Sequence, residues 1–443
     1  MESIINKCRE KLMGQGIREY EIYFISQKDT TIEVKNGKIE LFKVAESTGI
    51  SLRLLEDKKP GFAYTTFLNE DSIDKLIAHA KASLKGLSPD PYLLFPGPSN
   101  GYPELEIYDE GLDSSLVSEK IEFSKEMEAS ALSYDSRIKR VRTSQFQEKN
   151  IKVFIKNHQD LDAWYKKTAV SGNILVMAEE KNQAEMGWDF DAHIYFNRLN
   201  PQTIGRQAAK RAIEALGGLC IPTQKMPIIL TNRVAIEFLE VLSSSFLADE
   251  AQKGKSLLVP YLGKKVMSSN VTIIDDGIIK DGLGSRPFDD EGVASQQTIL
   301  VNDGILKDLL YDTYTANKAG RSSTGNSLRE GIETPPKVHV TNLYLKPGDA
   351  SFSHLLKTLE KGLVITDVLG MHTADPISGD FSVGACGYWV EGGEKAFPVK
   401  GIAISGNILQ VFKNIMILGS DFRFLGNVGA PSMLIEAMQI SGD

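Results

Sequence analysis

The sequence predicts an α+β fold. An N-terminal mixed α/β region built on antiparallel sheets is followed by a C-terminal region that is mainly antiparallel sheet or barrel with few helices. Three observations predict this. Residues 1–220 run through a helix, alternating strands and a helix, and then do so again. Beyond residue 220 the chain consists mostly of short alternating runs broken by glycine-centred turns. A chain of 443 residues also exceeds one ordinary core, so two domains are expected, 1–220 and 221–443.

The elements follow from spacing. Ile4, Ile5, Cys8 and Leu12 recur at helical intervals, which predicts a short amphipathic helix from Glu2 to Gly14. Alternating strands are expected at Glu21–Gln27, Thr30–Lys35 and Lys38–Val44. Asn36-Gly37 stands between the last two as a hairpin turn, because both residues tolerate positive φ. Gly49–Glu56 and Gly61–Phe67 extend the sheet, and Asp71–Leu87 reads as a helix with Ile73, Leu76, Ile77, Ala80 and Leu84 on one face. Four prolines between Ser88 and Gly101 break the pattern, and the break is placed near 88–114. A helix at Ser115–Ser133, strands at Arg137–Phe146, Asn150–Lys156 and Thr168–Glu179, and a helix at Pro201–Gly217 complete the second round. The repetition is compatible with an internal duplication.

Gly217-Gly218 to Pro222 is the expected domain boundary. Beyond it, Pro227–Thr231 reads as a strand and Arg233–Leu247 as an apolar helix. Strands are then expected at Val271–Asp275, Gln297–Val301, Ile305–Leu310, Val338–Leu345, Gly387–Glu391 and Phe397–Ser405.

Composition narrows the function. Hydrophobic residues are 42% and charged residues 24%, as in ordinary soluble domains. The net charge of −8, with no dense basic run, disfavours a nucleic-acid partner, which needs clustered Lys and Arg to displace counterions. No window approaches a membrane span, and the first residues lack a signal peptide's apolar core. Cys8, Cys220 and Cys386 lie far apart without a CxxC pair, which fits reduced thiols in a cytoplasm. The expected location is therefore cytoplasmic.

The motifs lie in the second half. Gly379–Phe424 contains the runs GDFSxGAxGYWVExG and GN-x5-FKNI-x4-SD. Upstream, Asp275-Asp276-Gly277, Asp289-Asp290-Glu291-Gly292-Val293, Asn302-Asp303-Gly304-Ile305-Leu306 and Thr324-Gly325-Asn326 follow in order. Each is weak alone. The ordered set resembles the TldD/PmbA peptidase family, on its PmbA (TldE) side. The resemblance is strong over the C-terminal half and loose over the N-terminal half.

In TldD-type peptidases, the resemblance implies a helix bearing HExxxH shortly before a Gly-[Thr/Lys]-Ser element. Gly254-Lys255-Ser256 supplies that landmark, and counting back places the motif on Leu239 to Ser244. Leu239 and Ser244 stand at the histidine positions, and only Glu240 matches. The family's cysteine ligand is also missing, because Asp421 to Asp443 holds no cysteine. Catalytic zinc needs about three N, S or O ligands and an open position. Leucine offers none, and a neutral serine is a poor one.

The resemblance therefore implies a non-catalytic PmbA/TldE-like subunit supporting proteolysis of unfolded or modified peptides. Its zinc would sit in a TldD-like partner, with no cofactor in this chain. The partner is that metallopeptidase subunit, or a second copy as a homodimer, and the substrate is a peptide. The apolar runs Ile415–Leu418 and Ser432–Ile435 either form the contact or are core strands. One alternative is an autonomous metallopeptidase or hydrolase with a relocated site. Another is a binding or regulatory protein, matching the family's older label of DNA gyrase modulator.

Other constellations supply candidate binding residues. His372, Asp375 and Asp380 stand close in GMHTADPISGD, where they could bind a cation or act as acid and base; ordinary Asx turns in a glycine-rich loop are the alternative. Arg329, beside a turn in TGNSLREG, could hold a carbonyl or carboxylate, or make a structural salt bridge. No nucleotide loop of Walker or GxGxxG type is present.

Overall fold

The computed structural model describes residues 2–442. Its N-terminal part comprises α1 (Glu2–Gly14), β1 (Glu19–Lys35), β2 (Lys38–Glu56), β3 (Lys59–Thr65), α2 (Glu70–Ser83), α3 (Glu110–Ser114), α4 (Val117–Leu132), β4 (Ile138–Asn157), β5 (Asp162–Glu180), β6 (Gln183–His193) and α5 (Pro201–Ala215). The six strands form one antiparallel sheet in the order β3-β2-β1-β4-β5-β6. Helix, three strands and helix occur twice, and the two halves meet where β1 pairs with β4. α1 and α2 cover the first half through Ile5, Cys8, Leu12, Ile73 and Ile77. α4 and α5 cover the second through Phe123, Met127, Ile204 and Ala208.

Three pairs of expected short strands are single long ones. β1 runs unbroken through Lys28-Asp29, because Asp29 sits between Ala45 and Lys149 in both neighbouring ladders. Backbone pairing on two sides outweighs the weak strand propensity of these residues. The Asn36-Gly37 turn is as expected, with φ of 53° and 70°. β6 was not expected from the sequence, since Gln183–His193 carries little apolar alternation. β3 covers only Ile50–Glu56 of β2, so the outer edge of Lys38–Gly49 is unpaired and exposes Ile39, Leu41, Phe42 and Val44.

The C-terminal part comprises β7 (Gln224–Leu230), α6 (Asn232–Ser243), α7 (Ala248–Gln252), β8 (Ile273–Asp276), β9 (Gln297–Asn302), β10 (Ile305–Leu306), α8 (Thr313–Ala319), β11 (Ser327–Leu328), β12 (Lys337–Val338), β13 (Leu343–Leu345), α9 (Phe352–Leu359), β14 (Lys361–Leu369), β15 (Asp380–Glu391), β16 (Glu394–Asn407), α10 (Ile408–Lys413), β17 (Ile415–Leu418), β18 (Arg423–Leu425), β19 (Val428–Ala430) and β20 (Met433–Ser441). Strands β16-β15-β14-β7-β20 close into a five-stranded barrel because β20 also pairs with β16. Its ladders are antiparallel except β7–β14, where Leu363 faces Ile228 in parallel. A second sheet, β10-β9-β8-β13-β19-β18, packs beside it around one shared core.

Of the two readings of the apolar runs, the barrel favours core strands. Ser432, Met433, Leu434 and Ile435 are all buried, because β20 pairs with β7, β16 and β17. In Ile415–Leu418 only Met416 projects to solvent, while Ile415 and Leu418 are core. Among the described residues, no helix is long and apolar enough to cross a membrane.

Candidate functional site

Helix α6 begins directly after β7, with Thr231 as an extended N-cap residue. Val234, Ala235, Phe238, Leu239 and Leu242 fall on one stripe and enter the barrel core. The opposite stripe, Arg233, Ile236, Glu237, Glu240 and Val241, forms a wall of a cleft of about 1130 Å³. Trp188 of β6, Asp367 of β14 and the loop carrying His372 form other walls. The cleft thus lies between the N-terminal sheet edge, α5, α6 and the barrel.

The three motif positions separate on this helix. Leu239 is fully buried and points away from the cleft into the core. Ser244 caps the helix, and its hydroxyl donates to the Val241 carbonyl at 3.3 Å. Only Glu240 lines the cleft, where desolvation raises its carboxyl above the usual range. The donor set does not fit a zinc ion: one position lacks a lone pair and faces inward, another engages its own helix. Among the described residues, no three His, Cys, Asp or Glu side chains are grouped as a metal would require.

Sequence reasoning missed the more perturbed groups. Burial and the charge of Asp367 push Glu237 up to about 7. Arg233 is 4% exposed, and burial pulls its guanidinium down to about 10. The available signal was the spacing of Arg233, Glu237 and Glu240, which puts three ionisable groups on one face of an otherwise apolar helix. Asp367 had no such signal. It joins the cleft because β14 pairs with both β7 and β15.

The other predicted residues do not converge. His372 is exposed on a single turn at the cleft rim. Asp375 accepts from the Ile377 amide at 2.8 Å, and backbone donors hold its carboxyl below the usual range. Asp380 accepts from Asn407 Nδ2 at 2.9 Å. Asp375 therefore serves a local Asx turn, and Asp380 a cross-strand contact between β15 and β16.

Arg329 makes the structural salt bridge that was its alternative reading. Its side chain is buried and bonded to Glu21 at 2.5 Å, out of reach of a peptide. It belongs to a charge network between the two halves of the molecule. Glu21 also accepts from Arg53 at 2.6 and 2.7 Å, Arg53 reaches Glu291 at 3.1 Å, and Asp290 accepts the Arg329 amide at 2.6 Å. Asp289 binds the amides of Glu291, Val293 and Ser327. The Asp289–Val293 motif thus fastens the halves together. A smaller pocket of about 350 Å³ adjoins this junction, lined by Arg53, Glu291, Asp312 and apolar residues.

Comparison with known proteins gives a consistent result. Residues 20–84, 110–216 and 223–442 match, in turn, domain 1, the central domain and the C-terminal domain of the PmbA/TldA metallopeptidases. The chain is 29% identical to Metalloprotease PmbA of Escherichia coli O157:H7 over 93% of its own length and 90% of that protein. A solved Thermotoga maritima structure, named a candidate modulator of a DNA gyrase, superposes with a TM-score of 0.92 at 31% identity, covering 99% of this chain and 100% of that one. Thermococcus kodakarensis TldE shares the fold, with a TM-score of 0.89 at 21% identity, covering 98% and 100%.

Proposed function

This chain belongs to the PmbA/TldD metallopeptidase family, and from that premise we propose that it is a PmbA/TldE-like subunit without a zinc site of its own. It pairs with a TldD-like chain that carries zinc on HExxxH, and it supports cleavage of unfolded or modified peptides in the cytoplasm. The observation that carries this reading is Leu239. The helix that should bear the metal turns an apolar side chain into the core at a ligand position. The unpaired edge of β2, with four exposed apolar residues, gives a partner chain a surface to meet.

The other readings have less behind them. An autonomous hydrolase would rely on the His372 loop, whose carboxylates are engaged in a turn and in a cross-strand bond. The gyrase label belongs to the Thermotoga relative, and a net charge of −8 gives it no footing on DNA here. The deciding experiment expresses this chain, tagged, with an HExxxH-bearing family member. A stable complex with zinc on the partner alone, and peptidase activity that needs both chains, is expected. Stoichiometric zinc in the isolated chain together with activity would falsify the subunit reading.

A further inference from the structure

Arg233 is a buried cation whose donors are not all used. Its Nη1 donates to the Trp188 carbonyl at 3.1 Å, and its guanidinium carbon lies 3.2 Å from the Trp188 ring centroid. Nη2 approaches Asp367 Oδ2 only to 3.7 Å, and neither Nε nor Nη2 makes a hydrogen bond. The Thr231 hydroxyl, at the start of the same helix, is likewise buried without a partner. Unmade bonds on a buried charged donor are costly, so each such native group needs a physical explanation. Both residues line the large cleft.

The opposite need lies further along the same face. Glu237 is half-buried and Glu240 more open to solvent; both line the cleft, and neither carboxyl has a hydrogen-bond partner among the described residues. Most of the surrounding charges are paired: Lys400 with Glu185, Lys395 with Glu214 and Arg211 with Asp189; Lys210 is an exposed lysine at the rim. On the α6 face itself, what remains uncommitted is a donor end and an acceptor end. On an α-helix they are separated by about 6 Å from 233 to 237 and about 10 Å from 233 to 240. An extended chain covers roughly 3.5 Å per residue, so two or three residues bridge those ends. A lone anion at Arg233 would be repelled by Asp367 and Glu237, whereas a zwitterion carries its own cation to them.

We propose that this cleft binds short peptides with both termini free, the carboxylate on Arg233 and Thr231 and the ammonium on Glu237 and Glu240. Such peptides are what a peptidase releases, so the inference rests on the proteolytic reading above. Entry of the carboxylate displaces the Trp188 ring from the guanidinium.

The test titrates the isolated chain with trialanine, its N-acetyl form and its C-terminal amide, followed by calorimetry and tryptophan fluorescence. Trialanine is expected to bind and to change the fluorescence, and blocking either end should weaken binding about tenfold or more. In Arg233→Met the acid and the amide should bind alike. In Glu237→Gln with Glu240→Gln, the free and acetylated forms should bind alike. Equal binding of acid and amide by the native chain, or no trialanine binding near about 1 mM, overturns the proposal. The native chain with blocked peptides decides the matter even where Arg233→Met fails to fold. Binding of trialanine without assembly onto an HExxxH chain keeps this site and removes the subunit role; assembly without trialanine binding does the reverse.

Discussion

Arg329 Nη2 donates to Glu21 Oε1 at 2.5 Å across 308 residues of sequence, and both side chains are buried. Glu21 is the shared anion of two guanidinium groups, since Arg53 binds it as well. Glu21→Gln would leave Arg329 without its carboxylate partner and Arg53 held by Glu291 alone. We expect it to destabilise the protein by roughly 3–5 kcal/mol, and Arg329→Met to cost less because Arg53 still neutralises Glu21. Urea unfolding of the two variants checks the order, and equal midpoints would remove the shared-anion account.

Asp312 caps α8 and accepts from the Thr315 amide and hydroxyl. Burial, and then the charge of Glu291, push its carboxyl up to about 6, above the usual carboxylate range. The folded state therefore keeps a proton that the unfolded chain has lost, and stability from this group falls as pH rises from about 4 to about 6. Asp312→Asn keeps a good N-cap and removes that loss. The variant should match the parent near pH 4 and exceed it by about 2 kcal/mol at pH 8. Thermal unfolding at the two pH values reads this directly, and a variant less stable at pH 8 would contradict it.

Leu239→His tests the metal reading from the other side. The new imidazole would replace a leucine that is 0% exposed and surrounded by core. A loss of about 2–4 kcal/mol is expected from the cavity and the buried polar ring. No zinc should be retained, with or without Ser244→His. Elemental analysis after dialysis provides the measurement, and one zinc per chain would show that α6 can turn its core face outward.

Two glycines set how closely α5 approaches its neighbours. A Cβ on Gly205 would lie 2.3 Å from the Met127 carbonyl of α4, and one on Gly187 would lie 2.2 Å from the Ala208 carbonyl of α5. Neither backbone can yield like a flexible side chain, so each Gly→Ala change should cost about 1–3 kcal/mol. Gly187→Ala should also alter Trp188 fluorescence, because α5 and β6 both border the cleft. An unchanged melting temperature for Gly205→Ala would show that the two helices can separate freely.

The sequence by itself determined the α+β class, the Asn36-Gly37 hairpin, α1, α2, α4 and α5, and the apolar character of α6. These rest on local rules, where periodicity and turn chemistry act within a dozen residues. It also placed Leu239 and Ser244 at the positions where the family resemblance implies histidines, because residue identity is a property of the sequence alone. Tertiary structure decided the rest. Asp29 stays in a strand only because two ladders hold it, and β20 becomes core only because the barrel closes on β16. The partner of Arg329 is Glu21, which arrives from the other half of the molecule. The cleft of Arg233, Glu237, Asp367 and Trp188 brings together α6, β14 and β6, and contacts between distant segments depend on chain closure that no short window of sequence encodes.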